Sequence, residues 1–298
     1  MTMAMTERFQ GQDLLRVGTG DSFMLLAPEH GGRLVRWVHR GDDILYWPEN
    51  ADWTRVSKVR GGNPLLFPFI GRHFVDGEAA KWRDAESVVR DMPQHGFARD
   101  LPFAVLDASD QAVRLTLAGS KATHAWYPFA WVFEAGYRLL PDGLEATLTV
   151  RNAGNTPVPH YAGHHFYFAL AHAQRNRSSL VIPAAVRVRQ RTDGTLTDGE
   201  PGEALYRVDD PRLQDTFHVL DHMGTIRLEM PSRTIAIETG TAGGTPWHAV
   251  ATWTEHDDAD FYCVEPWLGL PNAIHDHQGL RWVAPHAQMS ATCRLRIV

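Results

Sequence analysis

Apolar and polar residues alternate along this chain in short runs, and nowhere do they settle into a helical rhythm. Leu144, Ala146, Leu148 and Val150 fall on every second position, which places them on one face of an extended strand. Val113–Leu117, Ile226–Met230, Thr234–Glu238 and Ala291–Val298 behave the same way. Tyr137–Leu140 and Leu144–Val150 flank Pro141-Asp142-Gly143, which reads as a hairpin closed by a short glycine-containing turn. Proline and glycine punctuate nearly every connection. No capping residue leads into an apolar face repeating about every 3.6 residues, and Phe168–Gln174 is at most a turn or two of helix. Alternation without amphipathic helices excludes a βα architecture and predicts an all-β fold, a large antiparallel β-sandwich.

A chain of 298 residues can bury a large core. No low-complexity linker, charge block or internal repeat divides it, so a single domain over residues 1–298 is expected, with about residues 1–10 as a loose tail. No stretch approaches the roughly 18 consecutive apolar residues of a membrane helix. Met1–Arg8 has no apolar core of the secretory kind, which makes a cytoplasmic location the expectation. Net charge is −6 and the basic residues are scattered, so neither nucleic acid nor a membrane is an expected partner. Cys263 and Cys293 lie in β-like runs; two thiols make no disulfide framework, and both are expected to be buried and free. Ten Trp and sixteen His are many. Aromatic rings lie flat on sugar faces and imidazoles move protons near neutral pH, yet large β cores also consume aromatics.

Four segments place polar groups in constrained or apolar surroundings. In Arg60-Gly-Gly-Asn-Pro-Leu-Leu-Phe-Pro-Phe-Ile-Gly-Arg72 an apolar run ends in a guanidinium, which either forks onto hydroxyls or a carboxylate or closes a strand at the surface. Gln94-His-Gly-Phe-Ala-Arg99 sets His95 before a glycine that permits close approach. Asn152–Phe168 carries the adjacent imidazoles His164 and His165; in extended chain they point to opposite faces, so at most one serves a given site and a two-His metal site is awkward. Phe261-Tyr-Cys-Val-Glu-Pro-Trp267 sets Glu265 at the end of an apolar strand, costly to bury unless paired with an Arg or put to use, and Trp267 offers a ring face. Gly240–Thr245 reads as a hairpin loop rather than a phosphate loop. His275-Asp-His277 is a weak chelate in an exposed loop, and no metal is expected. The pairs Asp42-Asp43, Asp209-Asp210 and Asp257-Asp258 read as solvated turns.

Taken in order, these segments resemble the aldose 1-epimerase (galactose mutarotase-like) superfamily from about Pro28 to the C-terminus. Asn63–Arg72 resembles the family's segment ending in a sugar-binding Arg, and His95–Arg99 its His-Gly-Phe motif. Gly163–Phe168 resembles its His-x-Tyr-Phe segment, and Val264–Trp267 its closing Glu-containing strand. The resemblance implies a galactose mutarotase-like β-supersandwich that interconverts α and β anomers of a hexose without cofactor, as a monomer or homodimer. By position it implies His165 as the acid on the ring oxygen and Glu265 as the base on the anomeric hydroxyl. Arg72, His95 and Trp267 would bind the sugar, together with a middle-region Asp, Asp215 or failing that Asp221. His164 stands where many members have Asn. Arg60-Gly-Gly resembles the hexose-6-phosphate branch, with Arg60 or Arg99 as phosphate partner, whereas Gly71-Arg72 and Glu265-Pro-Trp267 resemble the unphosphorylated-sugar side. A sugar or sugar phosphate is the implied ligand, and an idle carbohydrate-binding or regulatory module on the same scaffold is the reading from another class.

Overall fold

A computed structural model describes residues 5–183, 185–240 and 244–298. Among them the largest sheet has nine strands, in spatial order Ala104–Ala108, Ala112–Ala118, Trp131–Leu140, Gly143–Asn152, Gln288–Ile297, Thr234–Glu238, Thr225–Glu229, Ser179–Val181 and Leu205–Arg207. The alternation explains its centre. Leu144, Ala146, Leu148 and Val150 are buried opposite Leu295, Cys293, Ala291 and Met289 of the neighbouring strand. On the outer face Thr147 meets Thr292 at 2.9 Å and Thr149 meets Ser290 at 2.8 Å, cross-strand pairs that fix the same register. The hairpin expected at Pro141 is present, pairing Leu140 with Gly143.

A second sheet carries the site. Its path runs Glu200–Pro201, Ala185–Val188, Thr216–Leu220, Ala249–Trp253, Phe261–Trp267, Gly163–His164 and Leu65–Leu66, and Tyr167–Ala169 also pairs with Phe261–Trp267. All its pairings are antiparallel. The two sheets bury a shared aromatic core: Phe67, just past Leu65–Leu66, stacks on Phe133 of the nine-stranded sheet with ring centroids 4.3 Å apart. Cys263 and Cys293 are buried and free. No helix among the described residues is long and apolar enough to cross a membrane.

Two expectations need correction. Met5–Phe9 is a strand, not part of a loose tail, because five residues pair with Gln12–Thr19 across a turn whose Gln10 and Gly11 both have positive φ; residues 1–4 lie outside the described chain. Gly240–Thr245 does not join hairpin partners, since Thr234–Glu238 lies in the nine-stranded sheet and Ala249–Trp253 in the other. Residues 241–243 of that loop lie outside the described residues.

Candidate active site

Side chains of a strand point alternately to its two faces, so Phe261–Trp267 delivers Cys263, Glu265 and Trp267 to one side. Glu265 lies opposite Ala251 in the neighbouring strand. Above this face is a cavity of about 260 Å³, a volume at the small end for ligand pockets and suited to one sugar ring. Glu265, Trp267, Trp253 and Phe217 reach it from the strands, while Lys58, Arg60, Arg72, His95, Arg99, Gln190 and Asp215 reach it from the connections.

The same alternation separates the adjacent imidazoles. His164 is fully buried, bonded through Nδ1 to the Asn63 amide at 2.9 Å and stacked on Phe166. His165 turns the other way, lines the cavity and stacks flat on Tyr167, centroids 4.6 Å apart. Asn63 holds both: its side-chain oxygen accepts from the His165 amide at 2.8 Å, and its nitrogen also donates to the Tyr137 hydroxyl at 2.9 Å.

His165 Nδ1 is 3.4 Å from Glu265 Oε1 yet forms no hydrogen bond, and Nε2 is the ring nitrogen left facing the cavity. The separation has ion-pair dimensions, but both charges are disfavoured. Burial lifts the Glu265 carboxyl well above its ordinary range, opposed only in part by the Trp267 indole, whose Nε1 donates to Oε2 at 3.2 Å. Burial, reinforced by Arg99, Arg33 and Arg60, holds His165 well below its ordinary value. The ligand-free site therefore keeps its proton on the carboxyl and its imidazole neutral. Glu265 has no Arg within salt-bridge distance among the described residues, which removes the reading of a structurally paired carboxylate.

His95 is buried beside both, its ring 5.6 Å from that of His165 and 5.9 Å from Trp267. Its Nδ1 accepts from the Gly71 amide at 3.1 Å, leaving Nε2 as the donor toward Gln94 and the cavity. Arg72 is half-exposed at the rim, donating to Gln190 at 3.2 Å with Asp215 at 3.9 Å. Asp215 thus lines the cavity, whereas Asp221 does not: it is exposed and bonded to its neighbour His222. Arg60 pairs with Glu255 at 3.0 Å and lies over Trp253, while Arg99 is fixed by the Gln94 carbonyl at 2.7 Å. Lys58, Gln190, Trp253 and the buried Arg33 were not among the residues singled out from sequence; they arrive from separate loops and strands, with no local pattern to mark them. Asn63 lay inside a marked segment, and its Asn-Pro step was the available signal.

The aldose 1-epimerase family model matches residues 13–286 of this chain. The chain belongs to the aldose 1-epimerase family. It is 26% identical over 175 residues to a Salmonella typhimurium protein named "Putative glucose-6-phosphate 1-epimerase", a match covering 57% of this chain and 53% of that one. An Escherichia coli protein of the same name is 25% identical over a match of the same coverage. The chain thus spans about half the length of these curated relatives. Its fold is that of the galactose mutarotase-like proteins. The Slr1438 protein from Synechocystis superposes with a TM-score of 0.80 at 25% identity, covering 95% of each chain. A galactose mutarotase related enzyme from Lactobacillus acidophilus superposes with a TM-score of 0.80 at 18% identity, covering 96% of this chain and 97% of that one.

Proposed function

We propose that this chain interconverts the α and β anomers of an aldose, with His165 and Glu265 passing protons to and from the sugar. The observation that carries the reading is the Nδ1–Oε1 contact of 3.4 Å at the floor of a cavity sized for one ring. Ring opening needs a proton given to the ring oxygen while another leaves the anomeric hydroxyl. The resting proton on Glu265 crosses to His165 Nδ1, making an imidazolium and a carboxylate. Nε2 then protonates the ring oxygen, and Glu265 takes the hydroxyl proton as C1 becomes a carbonyl. The pair is now neutral again, with His165 carrying its proton on Nδ1. Rotation about C1–C2 presents the other carbonyl face, and the same transfers in reverse close the ring. Groups of this kind each contribute about 10²–10⁴ in rate. His95 and Arg72 orient hydroxyls, and Trp267 offers its ring.

A phosphorylated substrate is the form favoured by charge. Lys58, Arg60, Arg72 and Arg99 line the cavity, against Asp215 and a carboxyl whose ionisation burial opposes. Arg72 is close to Asp215 and Arg60 is paired with Glu255, but Lys58 and Arg99 have no carboxylate within salt-bridge distance among the described residues. Two unmatched cations beside a sugar-sized space suit a phosphate ester, even though the chain as a whole is acidic.

NMR exchange between anomers of glucose and of glucose 6-phosphate tests both levels. Acceleration with a marked preference for the phosphate is expected, and Lys58→Ala or Arg99→Ala should raise KM for the phosphate alone. Equal rates on both sugars would remove the phosphate reading. Binding without any acceleration would remove catalysis and assign a carbohydrate-binding role.

A further inference from the structure

We propose that His165, Cys263 and Glu265 together form a binding site for a thiophilic divalent cation, with Zn²⁺ the best match. The anomer exchange described above gives Cys263 no task. Yet the strand's alternation sets it two residues before Glu265 on the same face, and it pairs through its backbone with Tyr167, on which His165 stacks. One potential ligand atom from each of His165, Cys263 and Glu265 lies within 4.8 Å of the other two. The three residues are buried, at 7%, 0% and 2% exposure.

A separate observation points to a ligand. His165 Nδ1 is sealed from solvent and makes no hydrogen bond, although buried polar atoms are rarely left unpartnered. It faces Glu265 Oε1, the carboxylate oxygen that Trp267 does not occupy. A cation between them would satisfy that nitrogen and use that oxygen.

The donor set selects the ion. Imidazole, thiolate and carboxylate suit zinc, whereas magnesium and calcium require all-oxygen surroundings. Zinc bonds of about 2.0–2.3 Å put tetrahedral ligand atoms roughly 3.5 Å apart, so the cluster would draw in by about 1 Å. Three protein ligands leave a fourth position, which opens toward the cavity. Charge balances as well: a thiolate and a carboxylate offset the dication, leaving a neutral complex in a site where Arg33, Arg60 and Arg99 would repel a bare ion.

Zinc would engage the Nδ1 and the Oε1 between which the proton passes. Inhibition by zinc therefore rests on the proposed catalytic roles, but binding does not. The test uses the full chain, stripped with EDTA and titrated with CoCl₂. One equivalent should produce the near-ultraviolet thiolate-to-cobalt band and a tetrahedral visible spectrum, both displaced by ZnCl₂ and unaffected by MgCl₂. Cys293→Ala should keep the band, because that thiol lies in the other sheet opposite Ala146. Cys263→Ala and Cys263→Ser should lose it, retain anomer exchange, and need about 100-fold more zinc for inhibition, in line with the affinity a ligand shell commands. Absence of the band in the parent protein would overturn the proposal whether or not the variants fold. Undiminished zinc inhibition of a folded Cys263→Ala would overturn it too. A band without inhibition would uphold the site and count against the catalytic assignment.

Discussion

Replacing Glu265 by Gln should abolish activity and stabilise the protein, by an amount that grows with pH. The carboxyl is buried, bonded to the Trp267 indole through Oε2 and unpaired with any arginine. Its folded-state pKa is raised, so the stability linked to it is fully present below the unfolded value near 4.5 and is lost as pH rises through the folded value. Keeping it protonated at pH 7 costs the folded state up to about 3 kcal/mol. Glutamine has the same shape and no proton to hold. Its oxygen still accepts from Trp267, and its amide can donate to the otherwise unbonded His165 Nδ1. For a chain of this length about 3 kcal/mol corresponds to roughly 5 °C in Tm. Thermal melts of parent and variant across the acid-to-neutral range should start close together near the unfolded pKa and diverge to about that gap at pH 7. NMR exchange on the same samples should show a loss of about 10²–10⁴ in kcat. A variant less stable than the parent by a pH-independent margin would refute the argument, because it would mean that Glu265 is ionised in the folded protein and stabilised as such.

Two further outcomes follow from the same geometry. Since His165 is held below 6.5 and Glu265 above 4.5, the pair carries its one mobile proton across a wide interval; kcat/KM should be flat through neutrality, with its acid limb below the usual histidine value, as a pH series of exchange rates would show. His165→Ala should cost activity with little loss of Tm, whereas His164→Ala, which empties a buried position bonded to Asn63, should cost about 2–4 kcal/mol of stability and leave kcat within about tenfold.

The strands were legible because their chemistry is local. Leu144–Val150 declares its inner face by alternation alone, and Glu265 declares itself by the cost of a carboxylate in Phe261–Trp267. The choice between His164 and His165 was not legible in that way. Neighbouring residues on a strand differ only in parity, and parity here is fixed by Asn63, about a hundred positions away in the chain, whose one amide grips both histidines. Met5–Phe9 shows the converse: it has little alternation of its own and becomes a strand because Gln12–Thr19 offers it an edge. Thr234–Glu238 and Ala249–Trp253 were expected to pair as sequence neighbours usually do, but each has better-matched partners in a different sheet. Lys58 and Gln190 had no local signal, because what brings them to the cavity is the closure of loops between distant strands.

Backbone strain gives independent weight to the same region. Non-glycine residues rarely adopt positive φ, and when they do in this chain they mostly sit in exposed turns. His95, at φ 68°, is buried in the cavity wall, and Asp215, at φ 47°, stands at its rim. Each conformation costs about 1 kcal/mol or more, which glycine would avoid. At His95 the strained backbone lets the imidazole accept from the Gly71 amide, one residue before Arg72, so one turn fixes a ring and a guanidinium at once. Add a carboxyl that burial keeps from ionising and an imidazole nitrogen with no partner, and four unfavourable features converge on one 260 Å³ space. A core built for stability alone would not gather them there. A site that must hold donors and acceptors ready for a sugar would, because each of those features is relieved or used only when a ligand is bound.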